Sequence, residues 1–294
     1  ASAIIVPMSL LIIVESLIMI QPGERGALWF VVIAMVVVVV LLTRTGTHIF
    51  RREELLGRSV DHINLSWAGR IFLEQWSGGV KRLSPVVWYK QSILPAVWGL
   101  RHAMLAYVVL AIFMFAFGWV MRETYPLPLD AANLSNEEIL QNSREIFEGG
   151  LLDGEFVAFA VIQNSRVIFL ALFIGMFTFG VVGLVLTSLP FGILGYVFAN
   201  VAQSQLSPLI FLAAVVPHGI IEIPAIMLAG AAALQLGAVP TRKPSKMTVS
   251  EAFIRQLADT IKVAVFVIFP MLVIAAFLEV YLTPVVIEQI LTTL

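Results

Sequence analysis

The sequence predicts an all-α protein: a polytopic bundle of membrane-spanning helices, about seven spans, with kinked or broken helices around Pro217–Pro224. Three observations carry this. Apolar residues make up 60% of the 294-residue chain and charged residues only 13%, whereas soluble domains run near ~45–50% apolar and ~25% charged. Several apolar runs reach the ~20 residues that a helix needs to cross a bilayer. Residues 167–241 hold a single Asp, Glu, Lys or Arg, which is Glu222. As one helix that stretch would be roughly 110 Å long, against a hydrocarbon core of ~30 Å, so it must fold back on itself.

The spans follow in order. Residues 3–20 and 27–43 form a hairpin around the turn QPGERG, and Met104–Met121 is the third span. The long apolar run supplies the next three, with candidate breaks at Ser188-Leu189-Pro190 and at AQSQLSP, residues 202–208. Val263–Tyr281 is the last. The opening at Ala1, in apolar sequence without an initiator Met or a basic leader, reads as a truncated N-terminus and not as a signal peptide. Cysteine is absent, which excludes disulfides, zinc–thiolate sites, iron–sulfur clusters and thiol nucleophiles.

Charge sets the orientation. Fourteen of the 18 Lys and Arg residues lie in two stretches, nine in 44–101 and five in 242–262. Residues 123–155 hold one Arg against eight acids. The positive-inside rule therefore places 44–103 and 242–262 in the cytoplasm, and 122–160 and the C-terminus outside, in a multi-pass protein of the cell membrane. An odd number of crossings must join 160 to 242, and length favours three.

Two segments outside the spans have patterns of their own. In LSWAGRIFLEQWSGGV, Trp67, Ile71 and Trp76 recur at near-helical spacing, which fits short amphipathic helices on the inner membrane face. A helix packed under the bundle fits the same pattern. Outside, Ser135-Asn136-Glu137-Glu138 has the form of a capping box and predicts a short surface helix.

Polar residues inside the apolar run are few: Asn164, Arg166, Asn200, Gln203, His218 and Glu222. An ionised group at a helix centre costs about 2.5–3.5 kcal/mol on insertion scales, so such residues point to function. His218 and Glu222, four apart, share a helix face. Pro217 and Pro224 each remove a backbone donor, and Gly219 admits a close neighbour. Three readings of the pair stand side by side. It is a packed pair bonded to Asn164 or Asn200, or a proton or cation site on a transport path, or a metal site. The last is short of ligands, because catalytic zinc takes three protein ligands plus water and no second histidine lies nearby. Just beyond, Ala225, Ala229, Ala233 and Gly237 recur every four residues, a stripe that lets a neighbouring helix approach. Gly175, Gly180 and Gly183 supply a facing surface.

The segment PHGIIEIPAIMLAGAAALQLG, preceded by VIQNSRV and a glycine-rich helix ending in FAN, resembles the stage II sporulation protein M family over residues 104–294. Asn164, Asn200, Pro217, His218, Gly219 and Glu222 carry the likeness. The resemblance implies a polytopic membrane domain that acts as a non-enzymatic assembly scaffold or transport-associated component; the family's namesake assembles with peptidoglycan-degrading partners. Residues 1–58, with HIFRREELLGR at their end, are similar to the C-terminal end of an ABC-2 type transporter permease through Arg51, Glu53, Glu54, Leu55 and Leu56. No Walker motif occurs, so any ABC ATPase is a separate chain. The expected division is 1–57, a cytoplasmic or interfacial 58–103, and 104–294. Expected partners are the lipid bilayer and further copies or other membrane proteins, with no nucleic acid, cofactor or metal. The alternative function is a transporter, channel or ABC permease component with an ion or proton site at His218 and Glu222.

Overall fold

The computed structural model describes residues 64–79, 84–127, 154–204, 206–241 and 247–293. Seven helices account for nearly all of them. Helix α1 is Leu65–Ser77 and α2 covers 85–99, followed by α3 (Arg101–Thr124), α4 (Gly154–Phe177), α5 (Val181–Ala202), α6 (Pro208–Gly237) and α7 (Val249–Leu291). Helices α3 to α7 are each long and apolar enough to cross a membrane. Among the described residues there is no strand. The all-α membrane class is therefore what the chain adopts. The predicted spans 3–20 and 27–43, the permease-like residues 51–56 and the capping box at 135–138 lie outside the described residues.

Local signals set most helix ends. Asn64 caps α1 by accepting from the Ser66 N–H at 2.9 Å, and Gly78, at φ 62°, closes it. Ser207 caps α6 ahead of Pro208, whose missing N–H costs nothing in a first turn. Thr248 caps α7 by accepting from Glu251.

Two expectations about breaks are corrected. Ser188-Leu189-Pro190 lies inside α5 and breaks nothing; the reversal falls at 178–180, where Phe179 has φ 54° and Gly180 φ 82°. Gly180 takes up this left-handed conformation freely, and its N–H closes the turn on the Gly175 carbonyl at 2.8 Å. The second break, between α5 and α6, falls within the anticipated 202–208. Nor is the chain broken at Pro217–Pro224: α6 runs as one helix through both prolines. Surrounding helices support α6 across the two lost hydrogen bonds, since it packs against α3, α4, α5 and α7.

Prolines distort the chain elsewhere. Wide π turns occur at Tyr89–Ile93, Ala264–Ile268 and Leu278–Leu282, and a proline follows each by two residues: Pro95, Pro270 and Pro284. A π turn re-bonds carbonyls that a proline ring would otherwise displace. Helix α7 thereby stays continuous well beyond the anticipated Val263–Tyr281.

At one end of the bundle α1 packs on the first turns of α7. Lys262, 1% exposed, donates to the Gln75 carbonyl and the Ser92 hydroxyl, both at 2.8 Å, and pairs with Asp259 at 2.7 Å. Asp259 accepts in turn from the Gln75 amide. Trp76, Trp88 and Phe266 cluster beside this network, Phe266 meeting both indoles edge to face. The helix carrying Trp67, Ile71 and Trp76 is thus packed under the bundle, where the described parts of the two stretches, 64–79 and 247–262, are in contact.

Candidate functional site

The central helix α6 brings the candidate residues together. His218 and Glu222 share a face, with Nε2 and Oε2 3.8 Å apart and each side chain 17% exposed. Helix α4 places Asn164 opposite, and its Nδ2 donates to Glu222 Oε1 at 2.8 Å. From α7, the Thr283 hydroxyl sits 3.2 Å from His218 Nδ1. Three helices thus converge on the pair.

The hydrogen-bond pattern assigns the imidazole tautomer. The Thr283 hydroxyl also bonds the Leu278 carbonyl at 3.2 Å, and a carbonyl only accepts, so the hydroxyl proton goes there. The arrangement that satisfies both contacts has Nδ1–H donating to the Thr283 oxygen. Nε2 then carries a lone pair and faces the Glu222 oxygen. At 3.8 Å the two are too far apart for a direct hydrogen bond. Two acceptors therefore look at each other across a gap. Glu279, exposed one turn before Thr283, acts electrostatically on both groups.

Beside the pair lies a cavity of about 220 Å³ between α5 and α6. Its walls include Pro190, Phe191, Leu194, Val215, Ile223 and Ile226, with His218 and Glu222 as the ionisable lining. Among the described residues no three His, Asp or Glu side chains come together closely enough to hold a metal ion.

The remaining site residues fall elsewhere. Asn200, 3% exposed, accepts from the Leu127 N–H at 2.7 Å and donates to the Tyr196 carbonyl. It anchors the chain leaving α3, as does Tyr196, which donates to the Tyr125 carbonyl, and it does not reach the pair. Arg166, two residues from Asn164 and so on the far side of α4, is exposed midway along that helix beside an exposed Gln163. Among the described residues Arg166 has no ion-pair partner. Gly219 is buried at the site, but it does not admit a foreign backbone: an added Cβ would meet only Ile223 and Val215 of its own helix, at 3.5 Å.

The small-residue stripe is buried along its whole length. Added Cβ atoms show how close its neighbours are. At Gly183 one would fall 2.8 Å from Ala233 Cβ, and at Gly237 one would fall 2.0 Å from the Gly180 nitrogen. Sequence reasoning missed Gly230, which presses against the Tyr107 ring, while the Tyr107 hydroxyl donates to the Thr187 carbonyl at 2.6 Å. It also missed Thr283, Glu279 and Phe191. The first two lie about 60 residues downstream of the pair; Thr283 carries no local mark, whereas Glu279, an ionisable residue in an apolar span, was a signal available to be read.

Comparison with protein-family models matches residues 105–284 to the model described as Stage II sporulation protein M. That interval contains Asn164, His218, Glu222, Glu279 and Thr283. No curated protein and no solved structure matches the chain.

Proposed function

The chain belongs to the stage II sporulation protein M family, and from that premise we propose that it serves without chemistry of its own, as a scaffold or transport-associated component of a larger membrane assembly. One observation carries the proposal: Arg166. It lies 12 residues from the start of α4, about 18 Å along the helix, on an exposed face that also carries Phe159, Ile162, Phe169 and Phe173. A guanidinium left in lipid at that depth costs about 2.5–3.5 kcal/mol or more, so a subunit that supplies an anionic or polar neighbour stabilises it. The partner is another membrane-spanning chain or a further copy. A separate ABC ATPase enters only through the permease-like residues 1–57. We place the end of the bundle that carries α1 and the start of α7, whose sequence neighbourhoods hold most of the Lys and Arg, in the cytoplasm of a cell-membrane protein, with 122–160 and the C-terminus outside.

The test is co-purification from native membranes under mild extraction. Wild type is expected to travel as a complex larger than one chain, and Arg166→Leu as a folded single chain. A wild type that is already a lone chain, with Arg166→Leu indistinguishable from it, sinks the proposal.

A second reading, a transporter or channel with an intramembrane ion or proton site, is favoured by the gap between Nε2 and Oε2 beside a cavity. Ionisable groups inside a membrane bundle mark proton and ion paths. Reconstituted wild type is expected to pass protons or monovalent cations, and Glu222→Gln to fall to background. A silent wild type removes this reading.

A further inference from the structure

Among the described residues, the two acceptors at the site lack a donor. Asn164 holds Oε1 of Glu222, which leaves Oε2 turned toward His218. Thr283 holds Nδ1 of His218, which leaves the Nε2 lone pair turned toward Glu222. Each neighbour thus fixes one end of its partner and presents the other end to the same gap. Acceptors 3.8 Å apart can both sit at the ~2.7–2.9 Å that a charged nitrogen donor prefers. An ammonium group has three donors and no acceptor, which matches this need.

The surroundings narrow the ligand further. A calcium ion takes six to eight oxygen ligands, and magnesium an octahedral shell; the gap offers one oxygen and one nitrogen. The adjoining cavity of about 220 Å³ is larger than an ion needs. At the ~30 Å³ that a water occupies in the liquid, it has room for about seven non-hydrogen atoms. Its walls, Phe191, Leu194, Val215, Ile223 and Ile226, are apolar and suit a hydrocarbon body.

We propose that the cavity between α5 and α6 binds a small organic primary ammonium ion, its nitrogen bridging His218 Nε2 and Glu222 Oε2 and its apolar body against Phe191 and Leu194. This rests on the reading of the pair as an ion site and names the ion's class. Glu222 supplies the charge, His218 the second acceptor, and Asn164 and Thr283 position them.

The experiment uses the full chain in nanodiscs, with benzylammonium as the probe and benzyl alcohol and benzoate as neutral and anionic counterparts, followed by calorimetry and ligand-observed NMR. Wild type is expected to bind benzylammonium saturably, and the two counterparts at least about tenfold more weakly, the scale of a charged hydrogen bond. Glu222→Gln, which keeps the side-chain shape, is expected to lose about tenfold or more. Leu194→Trp, which fills the cavity and leaves the pair in place, is expected to exclude the probe. Circular dichroism and size profile establish that both variants fold. Equal binding of benzyl alcohol, or unchanged binding in folded Glu222→Gln, overturns the proposal. Glu222-dependent proton flux in a chain that never binds benzylammonium overturns the ligand and leaves the ion-site reading standing. Binding without flux of any ion supports the ligand and removes transport.

Discussion

The two halves of α6 share one continuous backbone and meet opposite surroundings. From Ala225 to Gly237, Ala225, Leu228 to Ala233, Leu236 and Gly237 are buried, and nearly all are small. From Pro208 to Pro224 only Ala213 and Gly219 are buried, and the residues that matter are a proline, a histidine and a carboxylate beside a cavity. The small-residue half is held by backbone-to-backbone contact, which has no give. In the polar half, directed hydrogen bonds from α4 and α7 fix the side chains, and room is left over. The difference teaches that rigidity and reactivity are separated along one helix: the packed half fixes where α6 sits, and the open half is free to carry charge.

That contrast can be broken, beginning with the largest effect. Gly237→Val drives a side chain into the Gly180 nitrogen and the Gly175 carbonyl, 2.0 and 2.4 Å from an added Cβ. Backbone cannot step aside cheaply, so the loss should reach or exceed the ~1–3 kcal/mol of ordinary overpacking, seen as a collapsed thermal midpoint in detergent or no monodisperse protein. A variant that melts like wild type would show that the seam is loose. Asn164→Leu comes next, with about 1.5–3 kcal/mol lost if Glu222 is ionised, the scale for a hydrogen bond to a charged group. The same change in a Glu222→Gln background should cost less, and equal costs in the two backgrounds would mean that the Asn164–Glu222 contact is incidental. Thr283→Val should cost only about 1 kcal/mol, but imidazole ¹⁵N shifts should lose the preference for the Nδ1–H form. An unchanged spectrum would refute the tautomer assignment. The smallest effect belongs to Gly219→Ala. A methyl there meets its neighbours at ordinary distance, and the helix gains up to about 1 kcal/mol from the exchange, so the thermal midpoint should hold or rise. A loss like that of Gly237→Val would erase the distinction between the halves.

Much of this was legible from residues alone, and the omissions have physical causes. The class and the three membrane-length apolar helices between 154 and 237 followed from hydropathy and the near absence of charge. The i,i+4 geometry of His218 and Glu222 followed from helical spacing, and Asn164 was one of two amides available to partner them. Choosing between Asn164 and Asn200 needed tertiary structure, because which amide reaches Glu222 depends on how α4 and α5 are set against α6. The first reversal was assigned to Pro190 instead of Gly180. Proline advertises a lost donor, but inside a packed span that loss is tolerated, whereas the left-handed turn at Phe179-Gly180 left only a glycine among many glycines. Thr283 was hidden because it meets His218 across 65 positions. The cavity was not legible at all, since empty volume is a property of how helices fail to touch.

The order of synthesis gives the position of α6 another meaning. A ribosome delivers α3, α4 and α5 before it, so the Tyr107 ring and the notches at Gly175 and Gly180, all of which face α6, are made before the helix that fills them. Until the fourth of these helices emerges, those surfaces lack the neighbour they fit, and the newborn chain waits on a segment it has yet to make.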